Sequence, residues 1–348
     1  MQIQKQIYKK SDFDKFYNVF KLHKEVETKK YVEYKTYEYS NIGINEVILR
    51  KINVEDTYKY PLMYLELIIN PSKILNKDNP IEILKEQDID SFISEFNNLL
   101  KSFHKLLVPC ITWSIKRIDF TRNIDLTEIA EEYKVDDIVN KYIELFQRAD
   151  ISSRCKVKYN SLTHRKSQDK GSFTFYNKSV KFIAYDKSKE RSDKGKLEEL
   201  EDAKNILRLE IQCKQMKVNG LKYSNKWDSK FLYHFLSKEL SYKTLMKYYS
   251  TSVGLGDFYN LDNARKIINN TKVINHKDTK LELIRILELI NKKRSVPRAR
   301  EEYKNSTRFN RYLKKLELID TNICINPITI PRAWNIDYLP NVWYLKDL

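Results

Sequence analysis

Three apolar runs each carry a single carboxylate at an interior position, and this pattern limits the fold more than any other feature. The runs are Leu62–Ile69 with Glu66, residues 111–121 with Asp119, and Ile206–Cys213 with Glu210. Alternate residues of a strand share a face, so one acid set among strand formers marks a sheet with a core face and a polar face. In the third run Leu207, Leu209, Ile211 and Cys213 form the apolar side, and Arg208, Glu210 and Gln212 the other. In the second, strict alternation puts Trp113, Ile115, Arg117 and Asp119 on one side, and Ile118 and Phe120 on the other. In the first, Glu66 sides with Tyr64 and Ile68.

Between these runs the apolar period lengthens to that of a helix. Ile89, Phe92, Ile93, Phe96, Leu100, Phe103 and Leu107 recur at three and four, and Pro109 closes the stripe. Val135, Ile138, Val139, Tyr142, Ile143 and Phe146 make a second stripe. Residues 46–50 read as a further strand. Residues 173–175 and 180–185 read as a hairpin turning near Asn177, Lys178 and Ser179, and residues 186–204 as a charged helical crossing. Strands interrupted by helices, with hairpins, predict an α+β fold: an antiparallel sheet with helices on one face.

From about residue 225 the pattern is mostly helical. Leu283, Ile286, Leu287 and Ile290 form one apolar face. Ser306 or Thr307 can cap the next helix, which sets Phe309, Tyr312, Leu313 and Leu316 against Arg308, Arg311, Lys314 and Lys315. Two helices, a basic turn and extended residues are compatible with a winged helix-turn-helix. An ordinary helical subdomain with a solvated basic face fits equally well. The expected division is residues 1–222 and residues 223–348.

A net charge of +17, from 64 Lys+Arg against 47 Asp+Glu, points to a polyanionic partner. The excess is concentrated. Residues 154–194 hold twelve basic and four acidic side chains, and residues 292–315 hold ten basic and two acidic ones. Cys110, Cys155, Cys213 and Cys324 are widely spread without a CxxC pair, which argues against a zinc or redox motif. No apolar run has the length of a membrane span and the first residues lack a signal-peptide core, so the expected setting is the cytoplasm, with no membrane partner.

The segment Phe182-Ile183-Ala184-Tyr185-Asp186-Lys187-Ser188-Lys189-Glu190 lies between the second and third acidic strands. A free phenol has a pKa near about 10 and is a weak nucleophile; nearby lysines or a bound cation favour the phenolate. Tyr185 is therefore the candidate nucleophile and Lys187 its supporting cation, with Tyr176 and Tyr159 in reserve. Position alone makes Tyr185 one more buried aromatic among 24 tyrosines. Asp119, Glu210 and Glu66 offer hard oxygen ligands suited to Mg²⁺ or Mn²⁺; each alone reads better as a carboxylate paired with arginine, such as Arg117 or Arg208, and only their coincidence with the tyrosine segment shifts the balance. His104 falls on a helix stripe and reads as packing, while His164 sits in the basic loop. Arg165, Lys166 and Lys189, with Arg308, Arg311, Lys314 and Lys315, are the candidate DNA contacts. No GxxxxGK[ST], GxSxG or HExxH motif occurs.

Four blocks in order carry a resemblance. They are Leu65-Glu66-Leu67-Ile68-Ile69-Asn70-Pro71-Ser72-Lys73, Lys116-Arg117-Ile118-Asp119-Phe120, Ala184-Tyr185-Asp186-Lys187 with Glu190, and Leu207-Arg208-Leu209-Glu210-Ile211 with Lys214. Over about residues 62–222 the chain resembles the gene II/gene X replication initiators of filamentous phages and related plasmid rolling-circle replication proteins. The resemblance implies a rolling-circle initiator that nicks one strand at an origin. Tyr185 would keep a 5′-phosphotyrosine and leave a 3′-hydroxyl for the host polymerase and helicase, and a second transfer would rejoin the strand. Asp119 and Glu210, with Glu66, would hold the metal, and the partner would be origin DNA, double-stranded with a single-stranded nick site. A conjugative relaxase with the same chemistry, a non-catalytic DNA-binding regulator and a nuclease that uses water remain the competing readings.

Overall fold

The computed structural model describes residues 1–53, 61–76, 81–152, 154–157, 171–317, 319 and 323–347. Its strands are β1 (Gln2–Ile7), β2 (His23–Glu27), β3 (Tyr31–Thr36), β4 (Ile44–Ile52), β5 (Leu62–Ile69), β6 (Ser114–Asp125), β7 (Lys156–Val157), β8 (Ser172–Tyr176), β9 (Val180–Asp186), β10 (Ile206–Cys213), β11 (Phe258–Tyr259) and β12 (Tyr338–Leu339). The first ten form one antiparallel sheet in the order β2-β3-β4-β5-β1-β6-β10-β9-β8-β7, while β11 pairs with β12. The chain divides into two compact units, each discontinuous in sequence: residues 1–121, 178–180 and 211–243, and residues 122–177, 181–210 and 244–348.

In the first unit the register follows the alternation of apolar residues. Glu66 of β5 stands opposite Gln4 of β1 and Ile48 of β4. Ile3, Ile7, Val47, Leu49, Leu65, Leu67 and Ile69 are buried. The helix Ile89–Phe103 buries Phe92, Phe96 and Leu100, and the first two rings stack with centroids 5.6 Å apart. The helical stripe stops short of Leu107. His104 is extended, at φ −164°, and its Nδ1 accepts from the Leu106 amide at 3.2 Å, starting a separate 3₁₀ turn. His104 packs edge-on against Phe16 at 5.7 Å, the packing role expected of it.

β6 departs from the expected strand in two ways. It begins at Ser114, because residues 110–112 form a 3₁₀ turn. Asn97 Oδ1 receives the Cys110 amide at 2.8 Å there, and the Trp113 indole donates to the Leu107 carbonyl at 2.8 Å. It also contains a bulge. Gln2 pairs with Arg117 and Ile3 with Ile115, so Lys116 is an extra residue. An extra residue inverts the faces beyond it. Ile115, Ile118 and Phe120 are consequently all buried, and Arg117 and Asp119 share the polar face with Gln2. The grouping of Ile115 with Arg117 and Asp119 is thus corrected.

In the second unit β8 and β9 form the expected hairpin, with Ser172 opposite Tyr185, Phe173 opposite Ala184 and Phe175 opposite Phe182. The Phe175 and Phe182 rings stack at 5.0 Å. Helix Ile138–Phe146 buries Tyr142, whose hydroxyl donates to the Pro340 carbonyl at 2.8 Å. Helices Lys277–Lys293, Val296–Tyr303 and Ser306–Leu316 follow. The last is capped by Asn305, which accepts from the Arg308 amide at 2.9 Å, not by Ser306 or Thr307. Among the described residues the extended stretch after it makes no hairpin of its own. It returns to the segment before the helices, through bridges Asp257–Ile325 and Asn260–Ile330 and through β11–β12. Among the described residues no helix is long and apolar enough to cross a membrane.

Gly256 marks the closest backbone approach in this unit. A Cβ there would lie 2.4 Å from the Asn326 amide nitrogen and 2.5 Å from the Ile325 carbonyl carbon. Both neighbours are main chain and cannot rotate away. Gly256→Ala is therefore expected to cost about 2 kcal/mol or more through overpacking, read as a lowered urea midpoint at unchanged slope.

Candidate active site

Tyr185 is the penultimate residue of β9, and the chain turns into a helix directly after it. Asp186 makes that turn. Its carboxylate accepts from the Ser188 and Lys189 amides at 2.9 and 3.2 Å, a helix N-cap, and its own amide donates to the Gly171 carbonyl at 2.9 Å. Gly171 has φ +121°, and a Cβ on it would lie 2.5 Å from Lys189 Cδ. The Lys189 stem therefore packs across a site that only glycine leaves open. Lys189, expected at the DNA, is half-buried over this turn.

The first residue of the helix, Lys187, is turned inward and is only 2% exposed. Its Nζ donates to Glu190 Oε2 at 2.7 Å. Desolvation, then the Arg208 guanidinium, draw its ammonium down to about 8, against the pull of Glu190. Burial acts on Glu190 in the opposite sense, but the hydrogen bonds from Lys187 and Lys194 prevail and bring it to about 2. Arg191 bridges Glu190 at 3.4 Å and Glu199 at 3.0 Å, which closes the network on its outer side.

The Tyr185 phenol is pushed up to about 12, mainly by burial. Glu210 and Glu190 add to the rise, and the charge and hydrogen bond of Arg208 oppose it. Arg208 is in turn fixed by Asn123, whose Oδ1 accepts from its Nε at 2.6 Å, and Asn123 is buried. Tyr185, Lys187, Glu190, Arg208 and Glu210 thus act on one another within one unit. Arg208 was read from sequence as a partner for carboxylates; beside the phenol it is the donor that favours phenolate. Asn123 and Glu190 had no assigned role in the sequence reading. The signal for Arg208 was its place on the same strand face as Glu210. Asn123 offered none, because it lies 85 residues from the arginine it holds. Lys187, at about 8, lies closer to neutrality than either Tyr185 or Glu190.

Tyr176 lies at the opposite end of the hairpin, opposite Lys181. Tyr159, His164, Arg165 and Lys166 fall outside the described residues. The other two acids occupy the polar face of the first unit and differ sharply. Glu66 is 1% exposed and its carboxylate is engaged by Lys116 at 2.6 Å, Gln2 at 2.9 Å and Arg50 at 3.1 Å. Asp119 Oδ2 accepts from Arg117 at 3.0 and 3.2 Å, while its Oδ1 is buried with no hydrogen-bond partner. Among the described residues no three His, Cys, Asp or Glu side chains form a group that could hold a metal ion. Judged on its donors, Asp119 has an oxygen that fits a cation, whereas the Glu66 carboxylate already accepts from three side chains.

Arg308, Arg311, Lys314 and Lys315 are all exposed on helix Ser306–Leu316. Arg308, Arg311 and Lys315 each lie 5.5 to 5.8 Å from the Tyr312 ring centroid, which gathers them into one patch.

Residues 15–230 match the N-terminal part of a phage replication-associated protein family, that of the gene II replication initiators of filamentous phages. The chain belongs to this family. Membership in the gene II family supports a replication-initiator role, and the match contains Tyr185, Lys187 and all three acidic strands. No curated protein matches the chain.

The depressed Lys187 sets a stability test. Below about pH 8 both folded and unfolded chains hold this proton, and the burial cost is fully present. Between about 8 and 10.5 the folded protein sheds it first, so the unfolded state binds more protons and stability rises with pH. Lys187→Met is expected to remove about 1 to 3 kcal/mol of that rise. Urea unfolding of both proteins at pH 7.5 and 10 measures it; an equal rise in both would show that Lys187 is not desolvated.

Proposed function

We propose that this chain is a rolling-circle replication initiator that nicks and rejoins one DNA strand through Tyr185. The observation that carries the reading is the phenol beside a fixed arginine, which with Glu190 links it to a buried lysine of lowered pKa, in a member of a replication-associated family. The phenolate oxygen of Tyr185 attacks phosphorus, the bond from phosphorus to the 3′-oxygen breaks, and that oxygen leaves and takes up a proton. The product is a 5′-phosphotyrosine and a free 3′-hydroxyl, and the reverse attack by a 3′-hydroxyl rejoins a strand. Arg208 orients the phenol and stabilises its anion. Lys187, whose ammonium is lowered to about 8, would in its neutral fraction take the phenol proton and then give it to the leaving 3′-oxygen.

Mg²⁺ or Mn²⁺ would supply charge to the scissile phosphate. Asp119 and Glu210 are the proposed holders, and the open Asp119 oxygen supports the choice. Glu66 would act through its cations rather than as a ligand. The 3′-hydroxyl would serve the host polymerase and helicase, in the cytoplasm. Use of the same chemistry in conjugative transfer is the alternative.

Tyr185→Phe removes one oxygen and should abolish a covalent protein–DNA adduct, while duplex binding is kept. The check is to incubate a supercoiled plasmid carrying the gene and its flanks with Mg²⁺ or Mn²⁺, and to look for protein on a 5′ end. An adduct that survives the substitution would move the role to another tyrosine. Nicking without any adduct would make water the nucleophile, and binding without nicking would favour the regulator.

The exposed patch on helix Ser306–Leu316 is proposed to hold the duplex. Changing Arg308, Arg311, Lys314 and Lys315 to Gln should weaken duplex binding and reduce its salt slope by about 3 to 4. An unchanged slope would remove this helix from the interface.

A further inference from the structure

A second basic region, in the first unit, carries aromatic rings instead of a catalytic cluster. Residues 214–243 contain seven lysines and two acids. Both acids are committed, Asp228 to His234 at 3.2 Å and Glu239 to Lys243. Lys230 is depressed by its burial and by the neighbouring charges of Lys222 and Lys116. The positive groups here repel one another, a strain that a bound anion would relieve.

The aromatic rings are layered. The Trp227 indole and the His234 imidazole are stacked, 4.8 Å apart and 9° from parallel. Tyr233 lies against His234 at 3.9 Å, tilted by 39°. Phe235 braces Trp227 edge-on from the buried side at 5.0 Å. The outer member, Tyr233, is 45% exposed, and Tyr223 is 75% exposed with Lys222 5.7 Å from its ring. The loop that presents them is held by its own main chain, Trp227 N to Lys222 O at 3.1 Å and Lys226 N to Tyr223 O at 3.2 Å. A preformed cluster of rings whose outer member, Tyr233, reaches solvent among lysines is the arrangement by which proteins hold unpaired bases, with phosphates on the cations and bases on the rings.

We propose that residues 222–234 form a binding surface for single-stranded nucleic acid, with a base stacked on Tyr233 and the backbone lying along Lys222, Lys226 and Lys230. The surface uses none of the residues assigned to nicking and does not depend on that assignment. A duplex is disfavoured because its bases are already stacked and cannot lie on the ring.

The test is binding alone, by anisotropy of a fluorescein-labelled oligothymidylate, with tryptophan emission as the local reporter. The wild type should bind, with quenching that is lost in Trp227→Phe. Tyr233→Ala should weaken binding roughly tenfold, and Tyr233→Phe should restore it. The combined change of Lys222, Lys226 and Lys230 to Gln should flatten the salt slope by about 2. Equal affinity in Tyr233→Ala and wild type would overturn the proposal. So would equal binding of an abasic sugar-phosphate strand, or of inorganic polyphosphate, which would reduce the surface to a simple cation patch. Thermal melting checks that each variant is folded; should Tyr233→Ala not fold, the abasic strand and the lysine variant decide on their own. Nicking is not the readout, so failure of the catalytic reading and failure of this one remain separate results.

Discussion

One ammonium withdrawn from water governs the end of β9. A lysine buried to the extent of Lys187 tends to lose its proton unless a partner answers it, and Glu190 is that partner. The surrounding pieces follow from keeping this pair in place. Asp186 caps the helix so that its first turn points inward. Gly171 leaves room for the Lys189 stem. Lys194 and Arg191 neutralise what remains of the Glu190 charge. Tyr185 therefore leaves the sheet with a fixed heading, into surroundings whose charges come from Glu190 nearby in sequence and from Arg208 and Glu210 on β10.

The acids illustrate how one sequence context yields different chemistry. Glu66 and Asp119 lie in similar apolar strands and face the same polar side of the first unit. Glu66 accepts from Arg50, Lys116 and Gln2. Asp119 has one oxygen paired and one bare. The difference comes from the bulge at Lys116, which sends that lysine toward Glu66 and leaves Asp119 with Arg117 on its own strand. A bare buried oxygen is costly unless something occupies it, which is why it is the better candidate ligand.

Where pattern and periodicity spoke together, the fold was readable from the residues. β5 and β10 have the expected limits, because a one-residue slip would turn every apolar side chain outward. The hairpin around Asn177 and the α+β class follow from the same logic. The misses share a cause: they depend on contacts distant in sequence. The late start of β6 reflects Asn97 and Leu107 holding residues 110–113. The bulge needs β1 to reveal it. The cap at Asn305 was displaced by a single position, a choice local propensity cannot make among adjacent Asn, Ser and Thr. At the site, Tyr185 and Lys187 stood out because they adjoin in sequence. Arg208 was visible on its strand face but not as a partner of the phenol, and Asn123 was invisible.

Arg122, buried in β6, is held entirely by residues near 345. It donates to the Trp343 and Leu345 carbonyls, pairs with Asp347 and lies 4.7 Å from the Trp343 ring centroid. Asp150 is likewise paired with Arg300. The stretch matched by the family ends at residue 230, yet side chains inside it are completed from well beyond. The boundary of sequence kinship is therefore not a boundary of assembly. A recombination that replaced the segment after residue 230 would have to bring the chain back along the same path, because the Trp343 and Leu345 groups that receive the guanidinium are main-chain carbonyls, placed by the course of the chain and not by its side chains.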